Sequence, residues 1–172
     1  MNELTRRHGL ALIAAALAAP AGLPAHAAPA APGREVAWPQ VRLLDGRPWG
    51  AAQAEGKAVV AVFWSLTCPY CQRHNNHVET LRQAMQGQPL ELITIVREND
   101  PPAVRRHMQQ RGWQFAVTPD DAPMAAALSQ RRLTPLTVTV DRQGLLLQVI
   151  PGEMAEDDVL GLRKLAARGT TP

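Results

Sequence analysis

Cys68 and Cys71 are the two cysteines of this 172-residue chain, and they stand together as Cys68-Pro69-Tyr70-Cys71. Such a pair can exchange disulfides, hold a soft metal or act as a staple. As a staple it would contribute little, because so short a loop removes little entropy from the unfolded chain. As a zinc site it lacks the second C-x-x-C or the paired histidines that would complete four ligands. Disulfide exchange needs a thiolate, and the first turn of a helix supplies the unpaired N–H groups and positive dipole end that favour one. Cys68 suits that place because Pro69 fits the first helical position, where its missing N–H is not needed. Cys71, one turn further, is within reach to resolve a mixed disulfide.

The elements around the pair are legible in outline. Residues 58–64, Ala-Val-Val-Ala-Val-Phe-Trp, form an unbroken apolar and β-branched run, as expected of a central strand buried on both faces, and this run leads straight to Cys68. Beyond Pro69, the positions Cys71, His74, Val78, Leu81 and Met85 recur at helical spacing and predict one buried face, with Gln72, Arg73, Asn75, Asn76, Glu79 and Arg82 elsewhere. Gly87 and Pro89 end that helix, and residues 90–96 supply another strand. Asp100 before Pro101-Pro102 predicts a capped helix stopped by Gly112. A short strand over 115–117 and a short helix over 121–131 follow. Residues 136–140 alternate with period two, 141–144 make a turn and 145–150 return, which is a hairpin. The last helix opens on Glu156, Asp157 and Asp158 and closes on Arg163, Lys164 and Arg168, charges that suit its dipole. An earlier short strand and turn lie over 41–46.

The N-terminus reads as an export signal. Arg6 and Arg7 precede an apolar run from Leu10 to Ala19, and Ala25-His26-Ala27 offers a small-x-small cleavage pattern, so residues 1–27 are expected to be removed. The run is about half the roughly twenty residues a membrane span needs. The Arg6-Arg7 pair also fits a twin-arginine signal, with Gly9 where a large apolar residue is usual. Residues 28–35 read as a flexible lead-in, and 36–168 as one domain. A net charge of +3, with no cluster of basic residues and interleaved aromatics, argues against nucleic acid as a partner.

The stretch Val60-Ala-Val-Phe-Trp-Ser-Leu-Thr-Cys-Pro-Tyr-Cys71, with Leu43-Leu-Asp-Gly46, Arg132-Leu-Thr-Pro-Leu-Thr-Val-Thr-Val-Asp141, Gly144 and Gly152, resembles the thioredoxin superfamily and, within it, the exported TlpA-like branch. The resemblance implies an α/β thioredoxin-like fold, a central mixed sheet with helices on both faces. It implies that Pro135 is a cis-proline opposite the cysteines and that Thr134 before it offers backbone groups to an extended substrate. It also matches Trp64 to the family's tryptophan before the motif, as a core or a substrate-facing ring, and sets Pro69 and Tyr70 at the site.

Two positions depart from the family. Val62 stands where thioredoxin has a buried aspartate, and His74 stands where TlpA-like reductases often have a glutamate. His74 is therefore a candidate for proton movement, against the plainer reading of a histidine satisfied by backbone. The implied activity is thiol–disulfide exchange with exported proteins, with no cofactor beyond Cys68 and Cys71 and no metal. The resemblance favours a monomeric periplasmic reductase fed by a membrane thiol donor, some relatives serving cytochrome c maturation. An oxidase or isomerase, and a copper-binding chaperone using Cys68 and Cys71 with His74, His77 or a methionine, remain as alternatives.

Overall fold

The computed structural model describes residues 32–167. The signal read over 1–27, the start of the lead-in and Arg168 lie outside the described residues.

Five strands make the central sheet in the order β5-β4-β3-β6-β7. In chain order these are β3 (Ala58–Trp64), β4 (Leu90–Val96), β5 (Ala116–Thr118), β6 (Leu136–Val140) and β7 (Leu146–Pro151). The run at 58–64 is the middle strand, fully buried along its length, as a strand covered on both faces must be. Strand β3 pairs in parallel with β4 and antiparallel with β6, β4 pairs in parallel with β5, and β6 pairs antiparallel with β7, so the sheet is mixed.

Alternate side chains of β3 serve two cores. Val60, Val62 and Trp64 meet Cys71, Val78 and Leu81 of α2 (Pro69–Ala84), Val104 of α3 (Pro101–Arg111) and Val159 of α5 (Glu156–Gly161). Val59, Ala61 and Phe63 face Met124 of α4 (Asp121–Ala127), together with Val36, Val41, Leu43 and Trp49 of the N-terminal segment. Helices thus cover both faces, and the architecture is the thioredoxin-like α/β fold.

Several local features differ from the expectation. Residues 33–35 are not a loose lead-in: Gly33 N–H donates to Leu146 O at 2.7 Å, Leu146 N–H to Arg34 O at 2.9 Å, and the Arg34 guanidinium caps the carbonyls of Ala127 and Leu128. The segment covers the β7 edge, whose backbone groups would otherwise lack partners. A two-stranded ribbon of β1 (Val41–Arg42) and β2 (Pro48–Trp49), followed by the single-turn α1 (Ala51–Ala54), occupies a stretch that periodicity leaves blank beyond residue 46.

On α2, Asn75 and Glu79 are buried rather than facing solvent. Glu79 is compensated, accepting from Arg82 Nε at 2.7 Å and from Gln114 N–H at 2.8 Å. The last helix ends early: α5 stops at Gly161 and a 3₁₀ segment, Leu162–Ala167, continues it. Glycine is a poor helix former, and the tighter winding brings Leu162 and Leu165, three apart, onto one buried face.

Candidate active site

The site lies where β3 and β4 end and β6 begins. Strand β3 stops at Trp64, residues 65–67 turn, and Cys68 caps α2 with Pro69 in its first turn. The Cys68 sulfur accepts the Cys71 N–H at 3.1 Å, so one otherwise unpaired helical N–H points at it. Cys68 and Cys71 form a disulfide with Cα atoms 5.2 Å apart. Their exposures differ in a way that assigns roles: Cys71 is fully buried, whereas Cys68 is half-buried with exposed Pro69 and Tyr70 beside it. An incoming sulfur meets Cys68 first.

The opposite wall comes from β6. Antiparallel pairing sets Leu136 against Phe63, which brings the residues before β6 to the end of β3 that carries the cysteines. The Thr134–Pro135 peptide bond is cis, and the Thr134 carbonyl oxygen is 3.6 Å from Cys68 Sγ. Pro135 is buried, and its carbonyl accepts Gly152 N–H at 2.8 Å, which anchors the loop bearing Glu153 and Met154.

Tyr70 is 57 % exposed, with the Arg73 guanidinium carbon 5.1 Å from its ring centre. Arg73 in turn makes a two-pronged bond to Glu153, at 2.8 and 2.6 Å. That bond is what holds the Glu153 carboxyl below the usual carboxylate range. Trp64 is not substrate-facing. Its ring is sealed in the core, its Nε1–H donates to Thr94 Oγ1 at 3.1 Å, and Trp113 meets it edge-on at 5.7 Å. It supports the site from behind.

His74 is fully buried and uses both ring nitrogens. Nδ1 accepts Met154 N–H at 3.3 Å, and because a backbone N–H can only donate, the proton of the neutral ring sits on Nε2, which donates to Thr137 Oγ1 at 3.1 Å. Burial first, and His77 second, push His74 down to about 4, with Glu153 opposing. The ring is therefore neutral at physiological pH and joins α2, β6 and the 152–155 loop. Both nitrogens being taken, it offers no lone pair to a metal. Among the described residues no three His, Cys, Asp or Glu side chains are grouped to hold a metal ion.

Sequence reasoning missed two consecutive residues just beyond β4. Arg97 donates to Asp121 Oδ1 at 2.7 Å and to Arg131 O at 2.7 Å, while Asp121 also holds Arg132 at 2.6 Å. These bonds fix the segment leading to Thr134. Glu98 turns to the other wall, its Oε1 accepting Ser65 Oγ–H at 2.6 Å and Leu66 N–H at 3.1 Å. The available signal was positional: the parallel neighbour of β3 ends level with it, Trp64 opposite Val96, so polar residues just past Val96 must flank the turn before Cys68.

The comparisons agree with this geometry. The Redoxin family model matches residues 32–165. Thiol-disulfide oxidoreductase ResA of Halalkalibacterium halodurans is 28% identical over 116 residues, covering 67% of this chain and 66% of that one. ResA of Bacillus anthracis is 23% identical over 121 residues, covering 70% of each. Among solved structures, a thiol:disulfide interchange protein of the thioredoxin family from Chlorobium tepidum superposes with a TM-score of 0.72 at 20% identity, covering 79% of this chain and 97% of that one. StoA from Bacillus subtilis does so with a TM-score of 0.64 at 16% identity, covering 80% and 98%. A surface cysteine disulfide-bonded to a buried one at a helix start, on this fold and with these relatives, means that the chain belongs to the Redoxin family and is a TlpA-like thiol–disulfide oxidoreductase of the thioredoxin superfamily.

Proposed function

We propose that the chain works in the periplasm as a monomeric reductase of protein disulfides, recharged by a membrane thiol donor, with the cysteines of apocytochrome c as one substrate class. The observation that carries the reading is the asymmetry of the pair: Cys68 reaches the surface beside the Thr134 carbonyl, and Cys71 is sealed behind it. In the reduced protein, the Cys68 thiolate attacks one sulfur of the substrate disulfide, and the other sulfur leaves as a thiolate that takes up a proton. Cys71, as thiolate, then attacks Cys68 Sγ, releasing the second substrate thiol and closing the Cys68–Cys71 disulfide. Two electrons and two protons pass to the substrate, and no further cofactor enters. The reductive direction is supported by the TlpA-like resemblance; the Pro69-Tyr70 dipeptide between the cysteines does not decide it.

The test uses a synthetic peptide containing the haem-attachment pattern C-x-x-C-H, in its disulfide and dithiol forms. The reduced protein should convert the disulfide peptide to the dithiol. If instead the oxidised protein drives dithiol peptide to disulfide and the reverse reaction is not seen, the protein is an oxidant.

A further inference from the structure

We infer that Glu98 sets the redox poise of the Cys68–Cys71 pair, by fixing an uncompensated negative charge against the turn that carries Cys68.

The Glu98 carboxylate is bolted to that turn through one oxygen. Oε1 takes Ser65 Oγ–H and Leu66 N–H, and Ser65 O in turn accepts Cys68 N–H at 3.4 Å, so the bonded chain runs from the carboxylate to the reactive residue. The other oxygen, Oε2, is sealed from solvent and has no hydrogen-bond partner. A half-satisfied, enclosed carboxylate is costly and calls for a reason.

Among the described residues, no Lys, Arg or His forms an ion pair with Glu98. Arg97, adjacent in sequence, gives Nη1 to Asp121 and Nη2 to Arg131 O, keeps an enclosed and unpartnered Nε, and lies over the Phe63 ring, on the opposite face of the sheet to Trp64. From α3, His107 packs with Trp64 and Trp113, and its Nε2 is enclosed and unpartnered. Burial, reinforced by Arg111, holds His107 below its ordinary value even though Glu98 pulls the other way, so the imidazole stays neutral near pH 7. The turn itself contributes only neutral groups, Ser65, Leu66 and Thr67.

A fixed anion disfavours a second one nearby. Reduction frees a Cys68 thiol that reacts as its thiolate, whereas the disulfide carries no charge. Glu98 therefore weakens the reduced form and makes the pair a better electron donor, the converse of a strong oxidant whose reduced form is stabilised. It acts as a positioning residue, through the turn, without touching the reacting sulfurs. The inference rests on Cys68–Cys71 as the redox couple and is independent of the direction proposed above, because it concerns a difference between variant and wild type.

The test compares Glu98→Gln with Ser65→Ala in the mature protein, measuring the glutathione exchange equilibrium and the titration of Cys68 by thiolate absorbance. Glu98→Gln keeps an acceptor for the turn and removes the charge. It should shift the equilibrium toward the dithiol by roughly threefold to tenfold, about 15–30 mV less negative, and Cys68 should titrate at lower pH. Ser65→Ala, which removes a bond and no charge, should shift neither by more than a small fraction of that. Glu98→Met carries the same prediction should the amide disturb the turn. Wild-type values in the neutral variants would overturn the inference, as would a Ser65→Ala shift as large as that of Glu98→Gln. The absolute wild-type potential reports separately on the reductase reading.

Discussion

His74 Nε2 donates to Thr137 Oγ1 across 3.1 Å, joining the helix that starts at the cysteines to the strand that starts after Pro135. With Met154 N–H on its other nitrogen, His74 is a three-way clamp on the walls of the site. Its position invites a proton-transfer role, but its surroundings give the ring no spare lone pair. His74→Ala should cost about 2–4 kcal/mol in denaturant unfolding, from two lost bonds and a buried void. The exchange rate per folded molecule and the titration of the thiols should be unchanged. A moved thiol pKa in the folded variant would restore the proton role.

The same clamp makes stability pH-dependent. His74 titrates near 4 in the folded protein and near its ordinary 6.5 unfolded, so between these values the unfolded chain binds more protons. Its contribution to stability is complete above pH 6.5 and is lost as pH falls toward 4, amounting to about 3 kcal/mol over the window. Urea midpoints of wild type and His74→Gln across pH 4–8 check this: the wild-type midpoint should fall faster on acidification.

Asn75 is fully buried with neither amide atom bonded to protein. Such a group costs about 1–3 kcal/mol. Asn75→Leu, which keeps the branched side-chain shape with methyl groups in place of the amide atoms, should therefore raise the urea midpoint by an amount equivalent to about 1 kcal/mol, with exchange activity unaltered; a lowered midpoint would mean that the amide holds ordered water or that the larger methyls overpack the site.

Trp64 separates a packing role from a recognition role. Trp64→Phe loses the bond to Thr94 and part of the contact with Trp113, and should cost about 1–3 kcal/mol. The KM for a protein disulfide should not change, since the ring never reaches the surface. Tyr70→Ser, at an exposed ring, should show the reverse pattern: a higher KM with stability nearly intact.

The unequal burial of the cysteines predicts which variant traps substrate. Cys71→Ser should accumulate a mixed disulfide through Cys68, visible by non-reducing electrophoresis, whereas Cys68→Ser should form none because Cys71 is sealed.

The parts that were legible in the sequence are those whose signals are local. The apolar run ending at Trp64, the Asp100-Pro101-Pro102 start with Gly112 at its left-handed stop, and the alternation over 136–140 each specify an element without reference to the rest of the chain. Cys68, Pro69 and Cys71 were likewise readable from spacing. What was not legible depends on tertiary partners. Glu79 looks solvent-facing until Arg82 and Gln114 are seen to satisfy it, and Pro48–Trp49 is too short to show a period. Glu98 and Arg97 acquire meaning only when parallel pairing sets Val96 beside Trp64.

The reduction potential of the Cys68–Cys71 pair, measured by equilibrating the purified protein with glutathione buffers and reading the oxidised fraction by mass, tests the central claim most directly. A reductase requires a value near that of thioredoxin, about −270 mV, whereas a value near about −120 mV, that of a strong periplasmic oxidant, would contradict it.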